Sequence, residues 1–477
     1  MTFIENDVWD YVIVGSGVLG LSTAFYLKKS SPDTKILLLD KYPGAGYGNT
    51  GKSNAAFRNI FDTSLNIQLS NSTMNFFRNK AKNGYDLDLK EVGYLWLLTE
   101  SQFQSKNSPT INLEVKNKQV DISLLEFMSI NNIEYEVYNK EQLSDLLPDL
   151  ILEFKENHQN EKNIEDDIVK GENIQYGLLG KQCGSLAPDL VIKLYQKLYK
   201  ELYGESRYNC EVLEILLKEK DRIFDEDYFP TVWRDSEIGA IKVKNRTKKS
   251  VSIIQTKKLI LATGAWINQL LDPLGINSGT KAKKRQLFRI CGLNNFVKTS
   301  KFDNKHQSIP FTILPIGGVF IKPIPEAKCV DVGCSDDVGR RFETRTLEES
   351  KKQSMDNKYL DNPQGEVDFY ITNILPVLET YFPKIFNEKT KIDNPSAGMY
   401  SYTLDKYPII EKNPKLGNLY YCSGASGSGI MKSDAIARIF VSLIMGDKYS
   451  ELFDKTKIKV SDFSINNRNL PKETLVI

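Results

Sequence analysis

Two glycine-rich turns stand more than 400 residues apart in this 477-residue chain, and the first has the spacing of a dinucleotide site. It reads VIVGSGVLG at 12–20. Gly15 makes the tight turn, Gly17 lets the backbone approach a pyrophosphate, and Gly20 lets the next helix pack on the sheet. Asp40 ends the following apolar stretch, at the position from which an acid accepts hydrogen bonds from a ribose. The spacing predicts that this half of the site binds a dinucleotide.

The residues around this turn must form a strand, a helix and a second strand. Residues 11–14 are β-branched or aromatic, residues 18–29 carry apolar side chains near helical spacing, and KILLLD is typical of a buried parallel strand. The same strand-to-turn pattern returns in SVSIIQTKKLILATGAWINQLL at 250–271 and in GNLYYCSGASGSGIMKSDAIARIFVSLI at 417–444. We therefore expect three dispersed segments to contribute to one α/β domain.

Length and composition indicate two domains and no affinity for a polyanion. The formal net charge is +2, with acidic and basic residues mixed, so we expect no nucleic acid or anionic membrane as a partner. No apolar run reaches the length of about eighteen residues that a membrane span needs. Only ten residues precede the first apolar strand, which leaves no room for a signal peptide. We therefore predict a cytoplasmic protein.

The cysteines and histidines argue against several kinds of site. The six cysteines are scattered without a CxxC, so the sequence suggests neither a zinc site nor a disulfide framework. The only two histidines, His158 and His306, both lie in loop-like stretches. A Ser-His-Asp triad or a histidine-rich metal site is therefore not expected, and we predict no bound metal.

Several stretches carry a resemblance to a known family. They are VIVGSGVLGLSTAFYL, LILATGAW, GVFIKPIP, and AGMYSYTLDKYPII followed by LYYCSGASGSGIMKSDAIAR. With these motifs the chain resembles the D-amino-acid-oxidase-like superfamily of flavoproteins, on its glycine oxidase, sarcosine oxidase and dimethylglycine dehydrogenase branch. The resemblance implies FAD as the cofactor. It also implies an α/β fold, with a Rossmann-like FAD-binding domain of the glutathione-reductase type and a second α+β substrate domain built on an antiparallel sheet.

The resemblance and the element pattern together predict where the two domains lie. The FAD-binding domain is expected to be discontinuous, from 1–93, 178–280 and 395–477. The substrate or cap domain is expected from 94–177 and 281–394, where GYLWLLTE, RQLFRICGL and GVFIKPI are typical of strands in an antiparallel sheet. Such a sheet would lie over the flavin face and exclude water from hydride transfer.

The length of FAD explains the second glycine turn, at 424–430, because one helix N-terminus cannot serve both ends of the cofactor. The resemblance places this turn beside the pyrimidine edge of the flavin. Backbone N–H groups and a helix N-terminus would there stabilise the negative charge that develops on reduction. The residues expected to contact FAD are Gly15, Ser16, Gly17, Val18, Leu19, Gly20, Asp40, Lys41, Thr50, Gly51, Lys52, Ser53, Val212, Ala262, Thr263, Gly264, Trp266, Gly398, Gly424, Gly427, Ser428, Gly429, Ile430 and Met431.

The chain departs from the family where relatives attach FAD covalently. Relatives often have a histidine where Ser428 stands. Some sarcosine oxidases attach FAD through a cysteine where this chain has Gly398, and other relatives use a histidine near the N-terminal flavin loop, although residues 41–60 contain none. The resemblance therefore implies FAD that is bound non-covalently.

Four residues are candidates for the substrate pocket. Arg58 matches an arginine that holds the substrate carboxylate in sarcosine oxidases, and its planar guanidinium can form two parallel hydrogen bonds. A second carboxylate-holding lysine of these enzymes corresponds to Lys432, shifted by one residue, which turns a helical side chain by about 100°. Tyr400 alternates with Tyr402 on a strand expected beside the flavin, and Lys322 lies on an alternating apolar strand.

We expect an enzyme, an FAD-dependent oxidoreductase that takes hydride from the C–N bond of an amino acid or N-methylated amino acid such as sarcosine, glycine or proline. One alternative in the same fold is a 2-hydroxy-acid or glycerol-3-phosphate dehydrogenase. Another is a flavoprotein subunit or assembly factor without independent catalysis. The expected partners are a small carboxylate-bearing amine and an electron acceptor, which is oxygen, a quinone or a carrier protein. A homo-oligomer and a hetero-oligomer both fit the sequence.

Overall fold

The structure is a computed structural model of the chain. It describes residues 2–108, 111–115, 118–154, 170–220, 235–335, 358–473 and 475, so the expectation for His158 lies outside the described residues. Two eight-stranded sheets dominate the fold. They are called here the first sheet and the second sheet.

The first sheet brings the three strand-to-turn segments side by side. Strands Thr2–Val14, Val251–Leu261 and Leu419–Ser423 are parallel neighbours. Because parallel strands end at the same edge of a sheet, the small-residue turns that follow them meet there. The order along the sheet is Glu205–Arg207, Ile36–Leu39, Thr2–Val14, Val251–Leu261, Ser236–Asn245 and Cys210–Glu219, with Leu419–Ser423 also on Val251–Leu261 and Ile409–Lys412 on Leu419–Ser423.

Alternating side chains bury both faces of the first sheet. Ile13 and Leu38 face a core formed with the helices, whereas Val12 and Val14 face the opposite core with Leu37. This double burial is why the strands are almost continuously apolar. The helices on the first face are Val18–Ser30, Ser64–Lys82, Pro188–Glu201 and Ser433–Met445.

The second sheet is antiparallel except for the parallel pairing of Phe311–Ile313 with Tyr94–Leu98. Helices Val367–Asn373 and Leu375–Tyr381 contribute to its core. Two of its strands, Tyr176–Gly180 and Asn394–Tyr402, span the predicted domain boundaries at 177/178 and 394/395. The domain boundaries themselves stay a prediction. The order of the second sheet is Asn394–Tyr402, Lys281–Cys291, Cys329–Gly333, Phe320–Ile324, Phe311–Ile313, Tyr94–Leu98, Tyr176–Gly180 and Tyr135–Asn139.

Smaller elements complete the fold. None of the helices in the described ranges is long and apolar enough to cross a membrane. The remaining helices include Glu100–Asn107, Leu124–Ile130, Lys140–Leu146, Ile267–Leu271, Asn294–Val297 and Lys358–Asp361, and the remaining strand pairs are Ala56–Phe57 with Gly184–Ser185, Ile111–Val115 with Lys118–Ile122, and Tyr449–Glu451 with Lys457–Lys459.

One disulfide corrects the expectation from the cysteine pattern. Cys291 and Cys329 are bonded although they lie 38 residues apart in sequence. They face each other directly in the antiparallel pairing of two neighbouring strands of the second sheet. The spacing of the cysteines could not indicate this pair, because the strand register brings the two residues together. The other four cysteines are buried thiols.

Candidate functional site

The first glycine turn is closely packed at the edge of the first sheet. Gly15 has φ of +102°, and a Cβ on it would lie 2.6 Å from the carbonyl oxygen of Ala262. Gly17 is the N-cap of the following helix and supplies no side-chain hydrogen bond. Thr50 Oγ1 accepts from the Val18 N–H at 3.1 Å. The other N–H groups of the first helical turn can therefore bind an anionic ligand such as a pyrophosphate.

Asp40 ties this turn to the second strand. Its Oδ2 accepts hydrogen bonds from the Ser16 N–H at 2.6 Å and the Ser16 hydroxyl at 2.7 Å, and its Oδ1 accepts from the Tyr42 N–H at 2.9 Å. A carboxylate has about four lone-pair sites, so Asp40 keeps capacity for a ribose hydroxyl. Ser16 itself is fully buried, so it holds the carboxylate of Asp40 in place.

A cavity of about 730 Å³ lies where the three turns meet. Most residues predicted to contact FAD lie on its wall, whereas Ser16, Gly20 and Gly51 line neither this cavity nor the smaller one described below. The predicted residues that line this large cavity are Gly15, Gly17, Val18, Leu19, Asp40, Lys41, Thr50, Ser53, Val212, Ala262, Thr263, Gly264, Trp266, Gly424, Gly427, Gly429 and Ile430.

These features fit FAD as the occupant of the large cavity. The glycine turn and the helix N-terminus would hold the pyrophosphate, and Asp40 would hold the ribose. Near Asp40 the wall continues along Val212 and Arg246, and elsewhere it reaches Tyr400 and Gly427. A cavity bounded by three separate turns suits a long dinucleotide.

A second cavity of about 110 Å³ shares Asn49, Tyr400, Ser426 and Gly427 with the large one. It is lined by three cationic side chains and by aromatic rings. Among the predicted FAD contacts, Lys52, Gly398, Ser428 and Met431 lie on this wall and not on that of the large cavity. The cations are Lys52, Arg58 and Arg285, and the rings are those of Phe61, Tyr94, Phe311, Phe320, Tyr400 and Tyr402.

The second glycine turn, at 424–430, lies between the two cavities and helix Ser433–Met445. Gly424 and Gly427 have φ of +72° and +83°, and a Cβ on Gly427 would lie 2.6 Å from the Tyr400 ring. The helix begins only at Ser433, three residues beyond the turn. The backbone of the turn itself, and not the first helical residues, therefore lines the cavities. Ser428 lines the second cavity and donates its hydroxyl to the Ala425 carbonyl at 2.8 Å.

Arg58 lies on the wall of the second cavity and is only 7% exposed. Its guanidinium donates to the backbone carbonyls of Ile60 and Leu475 and lies 4.3 Å from the centre of the Phe61 ring. Burial lowers the pKa of Arg58, and the charge of Glu473 opposes this shift. A guanidinium has five N–H donors, so further donors remain for a ligand.

Lys432 is placed behind the second cavity and lines neither cavity. It is 2% exposed and donates to Asn66 Oδ1 at 2.7 Å. Burial lowers the pKa of Lys432 and raises the pKa of nearby Glu473. The side chain of Lys432 therefore does not reach a ligand in either cavity in this structure, contrary to its predicted role in the pocket.

Lys322 also lines neither cavity. It donates to the backbone carbonyl of Asn54, a residue of the second cavity wall. Burial lowers the pKa of Lys322 to about 8, and the opposing charge of Asp331 is the next largest influence. Of the four predicted pocket residues, the structure thus brings Arg58 and Tyr400 to the second cavity and leaves the two lysines outside it.

Several cavity residues escaped the sequence analysis. Asp361 lines the large cavity, pairs with Lys41 and accepts from Trp266 Nε1 at 2.7 Å. Asn49 Oδ1 accepts from the Met399 N–H at 2.7 Å and so joins the flavin loop to the second sheet. Neither residue belongs to a sequence motif. Each contacts its partner across more than 300 residues of sequence, so no local pattern could indicate it.

No group of three or more metal-binding side chains is found in the part of the chain that the structure describes. The described residues that line the two cavities include those of the glycine turns, Asp40 and the three cationic side chains of the second cavity.

Comparison with known proteins identifies the family of the chain. The family model described as FAD dependent oxidoreductase matches residues 10–443. The chain is 23% identical to FAD-dependent oxidoreductase domain-containing protein 1 of Xenopus laevis, over 93% of this chain and 80% of that protein. It is 21% identical to peroxisomal sarcosine oxidase of Homo sapiens, over 96% of this chain and 97% of the other.

Solved structures share the fold at low sequence identity. L-proline dehydrogenase from P. horikoshii superposes with a TM-score of 0.61 at 19% identity, over 96% of this chain and 97% of that one. Glycine oxidase from Bacillus cereus superposes with a TM-score of 0.60 at 15% identity, over 94% and 98% of the two chains. The predicted α/β fold class is confirmed.

Proposed function

The chain belongs to the family of FAD-dependent oxidoreductases that the family model describes, and we propose that its substrate is a small amino acid or N-methylated amino acid oxidised at its C–N bond. The observation that carries this proposal is the second cavity, where Arg58 lies on a wall that shares Tyr400 and Gly427 with the FAD cavity. The named relatives and structural neighbours, which include a sarcosine oxidase, a glycine oxidase and a proline dehydrogenase, support the substrate class.

In this proposal Arg58 anchors the substrate carboxylate. Its charge and planar fork suit a carboxylate, and its position between the Phe61 ring and two backbone carbonyls limits its rotation. When bound, FAD would supply the two-electron acceptor for a hydride from the carbon next to nitrogen, and the neutral amine that loses the hydride would become a protonated imine. By fixing the carboxylate, Arg58 determines which C–H bond faces that acceptor.

Aromatic rings line one side of the second cavity and would limit the access of water to a bound substrate. Tyr94 and Phe311 are stacked with ring centres 4.1 Å apart, and Phe320 continues the stack at 5.0 Å from Phe311. A dry pocket strengthens the attraction between a guanidinium and a carboxylate, because fewer water molecules screen the charges. The second sheet provides these rings and thereby covers one side of the pocket.

An anaerobic substrate screen tests the reaction class. The holoenzyme is mixed with sarcosine, dimethylglycine, glycine, L-proline, D-proline and 2-hydroxy acids, and bleaching of the flavin absorbance is recorded. We expect bleaching by at least one amino acid. Bleaching by 2-hydroxy acids alone would favour C–O oxidation, and a holoenzyme that none of a wide range of acids bleaches would favour a non-catalytic subunit.

Arg58→Ala tests the anchor. We expect the rate of bleaching by the best acid to fall by roughly 100-fold, which corresponds to about 3 kcal/mol lost from a charged pair in a dry site. Arg58→Lys keeps the charge without the planar fork and should also be impaired. Arg78→Ala is the matched control, because Arg78 lines neither cavity and pairs with Glu91. A wild-type rate in Arg58→Ala would place the carboxylate elsewhere.

A further inference from the structure

The C-terminal segment reaches into the protein behind the second cavity. Glu473 is 3% exposed, although Lys472 before it is exposed. Its carboxylate accepts hydrogen bonds from the Asp62 N–H at 3.1 Å, the Thr63 hydroxyl at 2.7 Å and Asn66 Nδ2 at 2.9 Å. Three donors from the chain just after Arg58 therefore fix this glutamate.

The same segment touches Arg58 directly. The backbone carbonyl of Leu475, which is 8% exposed, accepts from the Arg58 guanidinium. The carbonyl of Ile60 accepts from the other terminal nitrogen. The guanidinium is thus held between two carbonyls over the Phe61 ring, and one of the two carbonyls depends on where the C-terminal segment lies.

Glu473 also lies among buried positive charges. Lys432 Nζ lies 4.7 Å from the centre of the Phe61 ring that Arg58 also covers, and it donates to the same Asn66 side chain that donates to Glu473. Burial lowers the pKa of both cations, and the charge of Glu473 raises it. Buried cations are costly unless an anion accompanies them, so Glu473 helps to keep Arg58 charged at its place.

We propose that Glu473 is a positioning residue for substrate binding. It anchors the C-terminal segment so that the Leu475 carbonyl holds the Arg58 guanidinium at the second cavity. The inference rests on the proposed function, because it requires Arg58 to bind the substrate carboxylate. When the anchor is lost, the Leu475 carbonyl no longer fixes the guanidinium, and the arginine must be ordered each time an acid binds.

A double-mutant cycle on the FAD-loaded protein tests this inference. Acetate is titrated into the wild type, Glu473→Ala, Arg58→Ala and the double variant, and its Kd is read from the change in the flavin spectrum. We expect Glu473→Ala to raise the Kd of acetate about tenfold, and to raise KM for the best amino acid more than it lowers kcat. In the Arg58→Ala background the same change should add almost nothing, because coupled residues are not additive.

Two further variants make the outcome unambiguous. Lys472→Ala, in the same segment but exposed, should bind acetate as the wild type does. Glu473→Gln keeps one oxygen, which can accept from Thr63 and Asn66, but it loses the charge and the second oxygen that accepts from the Asp62 N–H. It should therefore raise the Kd of acetate less than Glu473→Ala does, and it replaces Glu473→Ala in the cycle if the alanine variant does not fold. Equal losses in both backgrounds would overturn the inference. If Arg58→Ala itself leaves acetate binding unchanged, the proposed anchor fails instead.

Discussion

Asp40 and Asp361 bring two carboxylates to the wall of one cavity, and their partners give them different roles. Asp361 is engaged by the Lys41 ammonium and by the Trp266 indole N–H. Asp40 instead accepts from the glycine turn through Ser16 and from the Tyr42 N–H. The donors to Asp40 are neutral, whereas Asp361 is paired with a cation. The charge of Asp40 is therefore better suited than that of Asp361 to accept hydrogen bonds from ribose hydroxyls.

Asp40→Ala should weaken FAD binding. The loss of a charge-assisted hydrogen bond is on the order of 1.5–3 kcal/mol, which corresponds to a Kd about 10- to 100-fold higher. The measurement is a fluorescence titration of the apoprotein with FAD. Asp33→Ala, at an exposed loop position, is the control. An unchanged Kd would mean that Asp40 only braces the turn.

Lys322 should make stability depend on pH. Burial lowers its pKa to about 8 in the folded protein, from 10.5. Between these values the unfolded chain binds the extra proton, so stability rises with pH, by at most about 1.4 kcal/mol per pH unit. Lys322→Met should flatten this rise. Urea unfolding at pH 8 to 10 measures it, with Lys82→Met at an exposed position as the control; an unchanged slope would contradict the prediction.

At the scale of elements, the site depends on how closely the first helix approaches the first sheet. A Cβ on Gly20 would lie 1.8 Å from the Gly15 carbonyl oxygen, so any side chain there pushes helix Val18–Ser30 away from the turn. This approach would set the position of a pyrophosphate bound at the turn. The glycine spacing is therefore a requirement of packing as well as of ligand contact.

Gly20→Ala should impair both folding and FAD binding. Overpacking costs about 1–3 kcal/mol or more, and a displaced helix start presents its N–H groups poorly. We expect a lower Tm and a mostly colourless protein on purification. Gly417→Ala is the matched control, because the nearest atom to its Cβ would be 4.0 Å away. A yellow Gly20→Ala protein with wild-type Tm would contradict this account of the packing.

At the scale of the whole molecule, residues that lie on or next to strands of both sheets enclose the large cavity. Gly15 and Thr263 follow strands of the first sheet, whereas Tyr400 lies on a strand of the second and Asp361 precedes that strand in the chain. FAD should therefore stabilise the folded state as a whole, because it binds only where these parts are assembled. The electron acceptor, the oligomeric state and the cytoplasmic location stay predictions from the sequence.

FAD should be bound non-covalently and should raise the Tm. Gly398 offers no nucleophile, and residues 41–60 contain no histidine. After acid precipitation the yellow colour should remain in the supernatant. Added FAD should raise the Tm of the apoprotein, and at 100 times the Kd the stabilisation is about 2.7 kcal/mol. Colour retained in the pellet would show a covalent link through another residue.

The sequence by itself determined the fold class and the cofactor FAD, because the motifs that carry the family resemblance meet local requirements. A turn at Gly15 needs a positive φ, and Gly20 needs close helix packing; each requirement is met by residue type and spacing within one strand-to-turn segment. The three such segments were visible as separate motifs. Their order in the chain was enough to identify the family.

Only the tertiary structure decided which cations line the second cavity. Arg58 and Arg285 line the second cavity, whereas Lys322 and Lys432 lie outside it. The sequence analysis placed Lys432 on a helix, but Lys432 is the residue before helix Ser433–Met445, so the turn and not helical geometry sets the direction of its side chain. The contacts of Asp361 with Lys41, of Glu473 with Asn66 and of Cys291 with Cys329 join distant segments. Such contacts depend on strand register and packing across the whole chain, for which no local pattern exists.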